Sequence, residues 1–125
     1  MTSTHRVLVV EDDEEIRETM IEVLEENGYE AVGACDGAEA LTQLRDPEDR
    51  WCVVLLDLMM PNMDGPAFRR EQLLDPSLSP IPVVIVSARS DVDDQAVKLA
   101  VAAHVTKPLS LAELLSTVGR FCRPV

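Results

Sequence analysis

Apolar positions along the chain switch between short unbroken runs and a helical spacing, and the switch repeats five times. The run RVLVV (6–10) predicts a buried strand. Ile16, Met20, Val23 and Leu24 then fall at i, i+4, i+7 and i+8, one face of a helix. Asn27-Gly28 supplies a helix stop. EAVGA (30–34) predicts a short second strand, and Asp36 can cap a helix carrying Ala40, Leu41 and Leu44, with Glu39 three residues past the cap. DPEDR (46–50) is a loop and WCVVLLD (51–57) a third strand. Residues 66–74 read as a helix of poor amphipathicity that DPSLSP (75–80) breaks. IPVVIVSA (81–88) predicts a fourth strand, followed by a helix capped by Ser90 with Val92, Ala96, Leu99 and Ala100 on one face. HVT (104–106) is a very short fifth strand. Ser110-Leu111-Ala112-Glu113 is a capping box opening a last helix, with Leu111, Leu115, Val118 and Cys122 on one side.

Five strand–helix units with nearly continuous apolar strands predict a parallel sheet covered on both faces. The expected architecture is therefore a doubly wound α/β domain spanning residues 1–125, with no internal linker or repeat. In such sheets ligands bind outside the carboxyl ends of the strands.

Composition narrows the functional classes. The chain has 125 residues, 46% of them hydrophobic, which suits one core and excludes disorder. No apolar run approaches a membrane span, and MTSTHRVLVVEDD reaches acidic residues too soon for a secretory leader. A soluble, cytoplasmic protein is expected. The formal net charge of −12 argues against direct contact with nucleic acid, whose phosphates call for basic patches. Cys35, Cys52 and Cys122 are far apart and form no metal-binding spacing, so all three are expected as reduced, mostly buried thiols.

The strand ends gather the polar chemistry. The first strand runs into Glu11-Asp12-Asp13, the third ends on Asp57, the fourth at Ser87-Ala88, and the fifth at Thr106-Lys107-Pro108. A carboxylate closing a buried strand is costly unless something pairs with it. Glu11, Asp12 and Asp57 bring three negative charges and Lys107 one positive, so a divalent cation with oxygen ligands balances the sum. Mg²⁺ suits a few carboxylates completed by waters and a phosphate. Asp13 reads better as a helix cap than as a ligand, and Asp64-Gly65 as a turn.

The segments VLVVEDDEEIR, VVLLDLMMPNMDG, IPVVIVSAR and HVTKPLS, in this order and spacing, closely resemble the receiver domain of two-component response regulators. The resemblance covers essentially the whole chain. It implies a flavodoxin-like (βα)5 fold with strand order 2-1-3-4-5. It also implies that Asp57 is a phosphoacceptor, taking a phosphoryl group from a phosphohistidine on a sensor histidine kinase or a histidine phosphotransfer protein. Mg²⁺, or Mn²⁺ in its place, would lie on Asp12, Asp57 and the backbone carbonyl of Met59, with Glu11 ligating directly or through water. Lys107 would neutralise charge on the phosphoryl group, and Ser87 would donate to it once transferred. The resemblance further implies a cis Lys107-Pro108 bond. Partner affinity would change through Ser87 and the face made by the fourth predicted helix, the fifth strand and the last helix. The downstream target is a protein of unknown identity.

One position departs from the family, which has Tyr or Phe three residues before the lysine. His104 stands there, either as a tolerated edge-strand residue or as a pH-sensitive coupling residue. Ala102 and Ala103 replace acidic residues common nearby, and Arg89 reads as a solvated surface arginine. The chain ends just after its last predicted helix, so no output domain is expected within it. A stand-alone receiver, a relay intermediate and a piece of a longer protein all remain open. A signalling domain rather than an enzyme is expected. A phosphatase of the haloacid dehalogenase type needs a second Asp two residues after its nucleophile, and Met59 stands there. A binding module that ignores phosphate is the other alternative, against which the intact set of Glu11, Asp12, Asp57, Ser87 and Lys107 argues.

Overall fold

The computed structural model describes residues 6–46, 50–57, 65–88, 103–107 and 110–122, with the backbone alone at 87, 88, 104, 106 and 107. Five strands, β1 (Arg6–Val10), β2 (Glu30–Ala34), β3 (Trp51–Asp57), β4 (Val83–Ala88) and β5 (Ala103–Lys107), form one sheet in the order β2-β1-β3-β4-β5. Every neighbouring pair is parallel. The described helices are α1 (Glu14–Glu26), α2 (Gly37–Leu44), α3 (Gly65–Leu74) and α4 (Leu111–Gly119). The helix expected after Ser90 and the Asp64-Gly65 turn fall wholly or partly outside the described residues, as do Arg89 and Pro108.

Two cores lie on opposite faces of the sheet. On one, Val7, Val9, Val53, Leu55, Val84, Val86 and Val105 pack against Met20 and Leu24 of α1 and Leu114 and Val118 of α4. On the other, Leu8, Val10, Val54, Leu56 and Val83 pack against Ala40, Leu41 and Leu44 of α2 and Phe68 of α3. Successive strand residues thus serve different cores, which is why the central strands read as unbroken apolar runs. Each fully buried leucine contributes about 1.5–3 kcal/mol.

Local signals set the ends of the helices. Asp13 caps α1 by accepting from the Ile16 N–H at 3.1 Å, and Asp36 caps α2 by accepting from the Glu39 N–H at 2.8 Å. Ser110 accepts from the Glu113 N–H at 3.3 Å at the start of α4. Helix α1 closes with Gly28 at φ 88°, whose N–H reaches the Glu25 carbonyl while the Tyr29 N–H reaches that of Leu24. This left-handed closure suits glycine and satisfies two terminal carbonyls.

Three expectations need correction. Strand β4 starts at Val83 rather than residue 81; Pro82 has no N–H for a ladder, although its carbonyl accepts from Val54 at 2.9 Å. Helix α4 keeps Val118 in the core as expected, with Leu115 and, beyond its end, Cys122 packed there too, but it also turns Leu114 and Thr117 inward and leaves Leu111 49% exposed. Its apolar stripe is wide enough to allow either choice, and packing against β5 selects one. The cysteines are not all thiols: Cys52 and Cys122 form a disulfide, and Cys35 is free and exposed. The cause is local. Arg6 pairs with Trp51 but Val7 with Val53, so the β1–β3 register slips around Cys52. Strict alternation would put Cys52 on the face of Val54 and Leu56. The irregularity turns it to the α1/α4 face and turns Trp51 to the α2/α3 face. Cys52 thereby comes within 5.4 Å, Cα to Cα, of Cys122 just beyond α4.

Candidate functional site

The register brings the polar residues together. Val10 pairs with Ala34 on one side and Leu56 on the other, so Glu11 and Asp57 are the next positions on adjacent central strands. Asp57 pairs with Val86, which places Ser87 one residue further along β4. Ser87 and Ala88 pair with Thr106 and Lys107 at the edge strand β5. The backbone positions of Glu11, Asp57, Ser87 and Lys107 therefore share the carboxyl edge of the sheet. His104 pairs with Ile85 near the middle of β5. Met59, the side chains of Ser87 and Lys107, and the ring of His104 lie outside the described residues.

Glu11, Asp12 and Asp57 each offer a carboxylate oxygen within 4.8 Å of the other two. Glu11 is 2% and Asp57 6% exposed, while Asp12 faces solvent. At such spacing, two ionised carboxylates repel by about 3 kcal/mol or more at an effective dielectric of ~20. An all-oxygen set with two members withdrawn from water suits a hard divalent cation of the Mg²⁺ or Mn²⁺ kind.

The acidic segment is firmly fastened. The Glu11 N–H continues the β1–β2 ladder by donating to the Ala34 carbonyl at 3.0 Å. The Asp13 N–H donates to the Glu11 carboxylate at 3.2 Å. Asp13 caps α1 and takes no place among the clustered carboxylates, as its position in the sequence indicates. Arg17 donates from Nη1 to the Glu11 backbone carbonyl at 2.8 Å. Sequence reasoning assigned nothing to Arg17; the available signal was a basic residue one turn into a helix that opens with Glu14 and Glu15.

A parallel sheet with both faces covered and acids clustered at its carboxyl edge defines an α/β domain whose polar site lies where such sheets bind their ligands. The family model for the response regulator receiver domain matches residues 7–119, and the chain belongs to this family. It is 37% identical over 123 residues to the phosphate regulon transcriptional regulatory protein PhoB of Escherichia coli (strain K12), covering 96% of this chain and 52% of PhoB. It is 38% identical over 120 residues to the transcriptional regulatory protein PrrA of Mycobacterium tuberculosis, covering 94% of this chain and 50% of PrrA. The chain thus spans about half the length of these curated relatives. Among solved structures, a response regulator receiver protein from Pseudomonas putida superposes with a TM-score of 0.85 at 29% identity, covering 96% of this chain and 99% of that one. The chemotaxis response regulator CheY4 of Vibrio cholerae gives 0.84 at 27%, covering 95% and 99%.

Proposed function

We propose that this chain is a single receiver domain working as a phosphorylation switch in the cytoplasm, with Asp57 as phosphoacceptor. The observation that carries the reading is the cluster of Glu11, Asp12 and Asp57 at the carboxyl edge of a receiver fold. An Asp57 carboxylate oxygen attacks the phosphorus of a phosphohistidine on a sensor histidine kinase or histidine phosphotransfer protein. The new bond is O–P, the broken bond N–P, and the departing imidazole nitrogen takes up a proton.

Glu11, Asp12, Asp57 and the Met59 carbonyl are the groups that would hold Mg²⁺. The ion supplies charge compensation at the phosphoryl oxygens. Lys107 adds a fixed positive charge, and Ser87 donates to the transferred group and couples it to the adjoining loop. His104 stands in the position of the family's aromatic residue, either as a tolerated edge-strand residue or as the link that carries that change to the output face for a protein partner. The backbone register supports these roles, because Ser87 follows the residue paired with Asp57 and Lys107 closes the next strand out, paired with Ala88.

The test is intact-mass spectrometry after incubation with acetyl phosphate, with and without Mg²⁺, on wild type and Asp57→Asn. The reading requires a Mg²⁺-dependent gain of one phosphoryl group that the variant lacks. Equal gain in the variant would exclude Asp57 as the acceptor.

A further inference from the structure

Arg17 rises from the first turns of α1 and lies across β2 at Gly33. A Cβ placed on Gly33 would stand 2.9 Å from Arg17 Cδ and 3.0 Å from Ile21 Cδ1. The missing side chain is thus the space that the arginine stem occupies. Cδ lies in the middle of that stem, so displacing it displaces the guanidinium. From this seat Nη1 reaches the Glu11 carbonyl at 2.8 Å, the residue between the last β1 ladder position and Asp12. Gly33 pairs with Val9 in the same ladder, two positions before Glu11.

We propose that Arg17 is a positioning residue for the acidic cluster: seated on Gly33, it holds the Glu11 carbonyl and so fixes where Glu11 and Asp12 stand relative to Asp57. The inference rests on the reading of that cluster as a divalent-cation site. Groups that orient ligands from behind typically change metal affinity by about 10–100-fold when removed.

The sign of the effect separates positioning from simple charge. A guanidinium held at the Glu11 backbone repels a cation bound by the Glu11, Asp12 and Asp57 carboxylates, so its charge alone weakens cation binding, and removal would tighten it. Loss of positioning acts in the opposite direction. Arg17→Met keeps most of the stem and removes both the donor and the charge. Gly33→Ala keeps Arg17 and its charge but takes away its seat.

The experiment is calorimetric titration of the purified chain with Mg²⁺ alone, on wild type, Arg17→Met, Gly33→Ala and the double variant, with thermal unfolding to establish that each is folded. Positioning predicts Mg²⁺ binding about tenfold weaker in Arg17→Met, a smaller loss in Gly33→Ala, and a double variant no weaker than Arg17→Met. Tighter or unchanged binding in Arg17→Met overturns the proposal, as do losses that multiply in the double variant. Should Arg17→Met fail to fold, unchanged affinity in folded Gly33→Ala overturns it. A wild-type chain that takes up no Mg²⁺ removes the cation-site reading as well, which distinguishes that failure from the others.

Discussion

Glu11 and Asp57 occupy corresponding positions on adjacent strands, each one residue beyond the Val10–Leu56 pair, and both are almost fully buried. A folded chain holds two carboxylates side by side only if other interactions offset their repulsion, because an unfolded chain would let them separate. On the proposed reading of the cluster, its carboxylates are kept together at a cost to stability.

That cost gives the first prediction. Without divalent cations, Asp57→Asn should unfold at higher urea than wild type, by about 1–2 kcal/mol, since it takes one carboxylate out of a crowded acidic cluster. Mg²⁺ at about a hundred times its dissociation constant should stabilise wild type by about 2.7 kcal/mol and the variant far less. An Asn variant that is less stable in metal chelator, or equally stabilised by Mg²⁺, would contradict this account.

The Cys52–Cys122 link spans 70 residues of sequence and ties the start of β3 to the end of α4. Opening it should lower stability by about 4 kcal/mol, the loop-closure figure for a crosslink of this span. Urea unfolding with and without reductant measures it, with Cys52→Ser reproducing the reduced curve. Cys35→Ser should change neither curve, because that thiol is free and exposed. Coincident oxidised and reduced curves would show that the link adds nothing.

Most of the sheet was legible from the sequence because its strands are buried on both faces and read as apolar runs between clear caps. Asp13, Asp36 and Ser110 announced the starts of α1, α2 and α4 by residue type alone. Asp57 stood out because an acid at the end of VVLL has no packing role, and Glu11-Asp12 because they follow RVLVV directly. The disulfide was hidden, since pairing residues 70 apart depends on a register slip that no local pattern marks. Leu111 misled because a stripe wider than a helix face leaves rotation to the neighbours. Arg17 and Gly33 belong to different elements and acquire their relationship only when α1 lies on β2.

Helix α3 is joined to the following segment through a polar core. Gln72, fully buried, accepts from Arg69 Nη1 at 2.7 Å and donates to the carbonyls of Leu78 and Ile81, each at 3.0 Å. Burial lowers the Arg69 pKa, so the guanidinium depends on its hydrogen bonds there. Gln72→Leu should cost about 2–4 kcal/mol by removing the donor to both carbonyls and one acceptor from Arg69. A loss below 0.5 kcal/mol in chemical denaturation, on the order of an ordinary surface change, would show the network to be dispensable.

Asp75 carries a local pH signature. The Ser77 hydroxyl and N–H donate to its Oδ1 at 2.7 and 3.0 Å, and with help from Arg45 they hold its pKa below the ordinary aspartate value. A carboxylate depressed by folding stabilises the fold fully above its unfolded pKa, and the contribution disappears as pH falls through the folded pKa. Carboxyl NMR titration should find Asp75 low in wild type and higher in Ser77→Ala. An unchanged Asp75 titration in that variant would assign the depression elsewhere.

The most direct test of the central claim is to locate the phosphoryl group. The chain is incubated with phosphoramidate and Mg²⁺, treated with borohydride to reduce any acyl phosphate to the alcohol, and digested for peptide mass mapping. The account predicts homoserine at position 57 and unmodified acids at 11 and 12. Reduction product at Glu11 or Asp12 with Asp57 intact would contradict it.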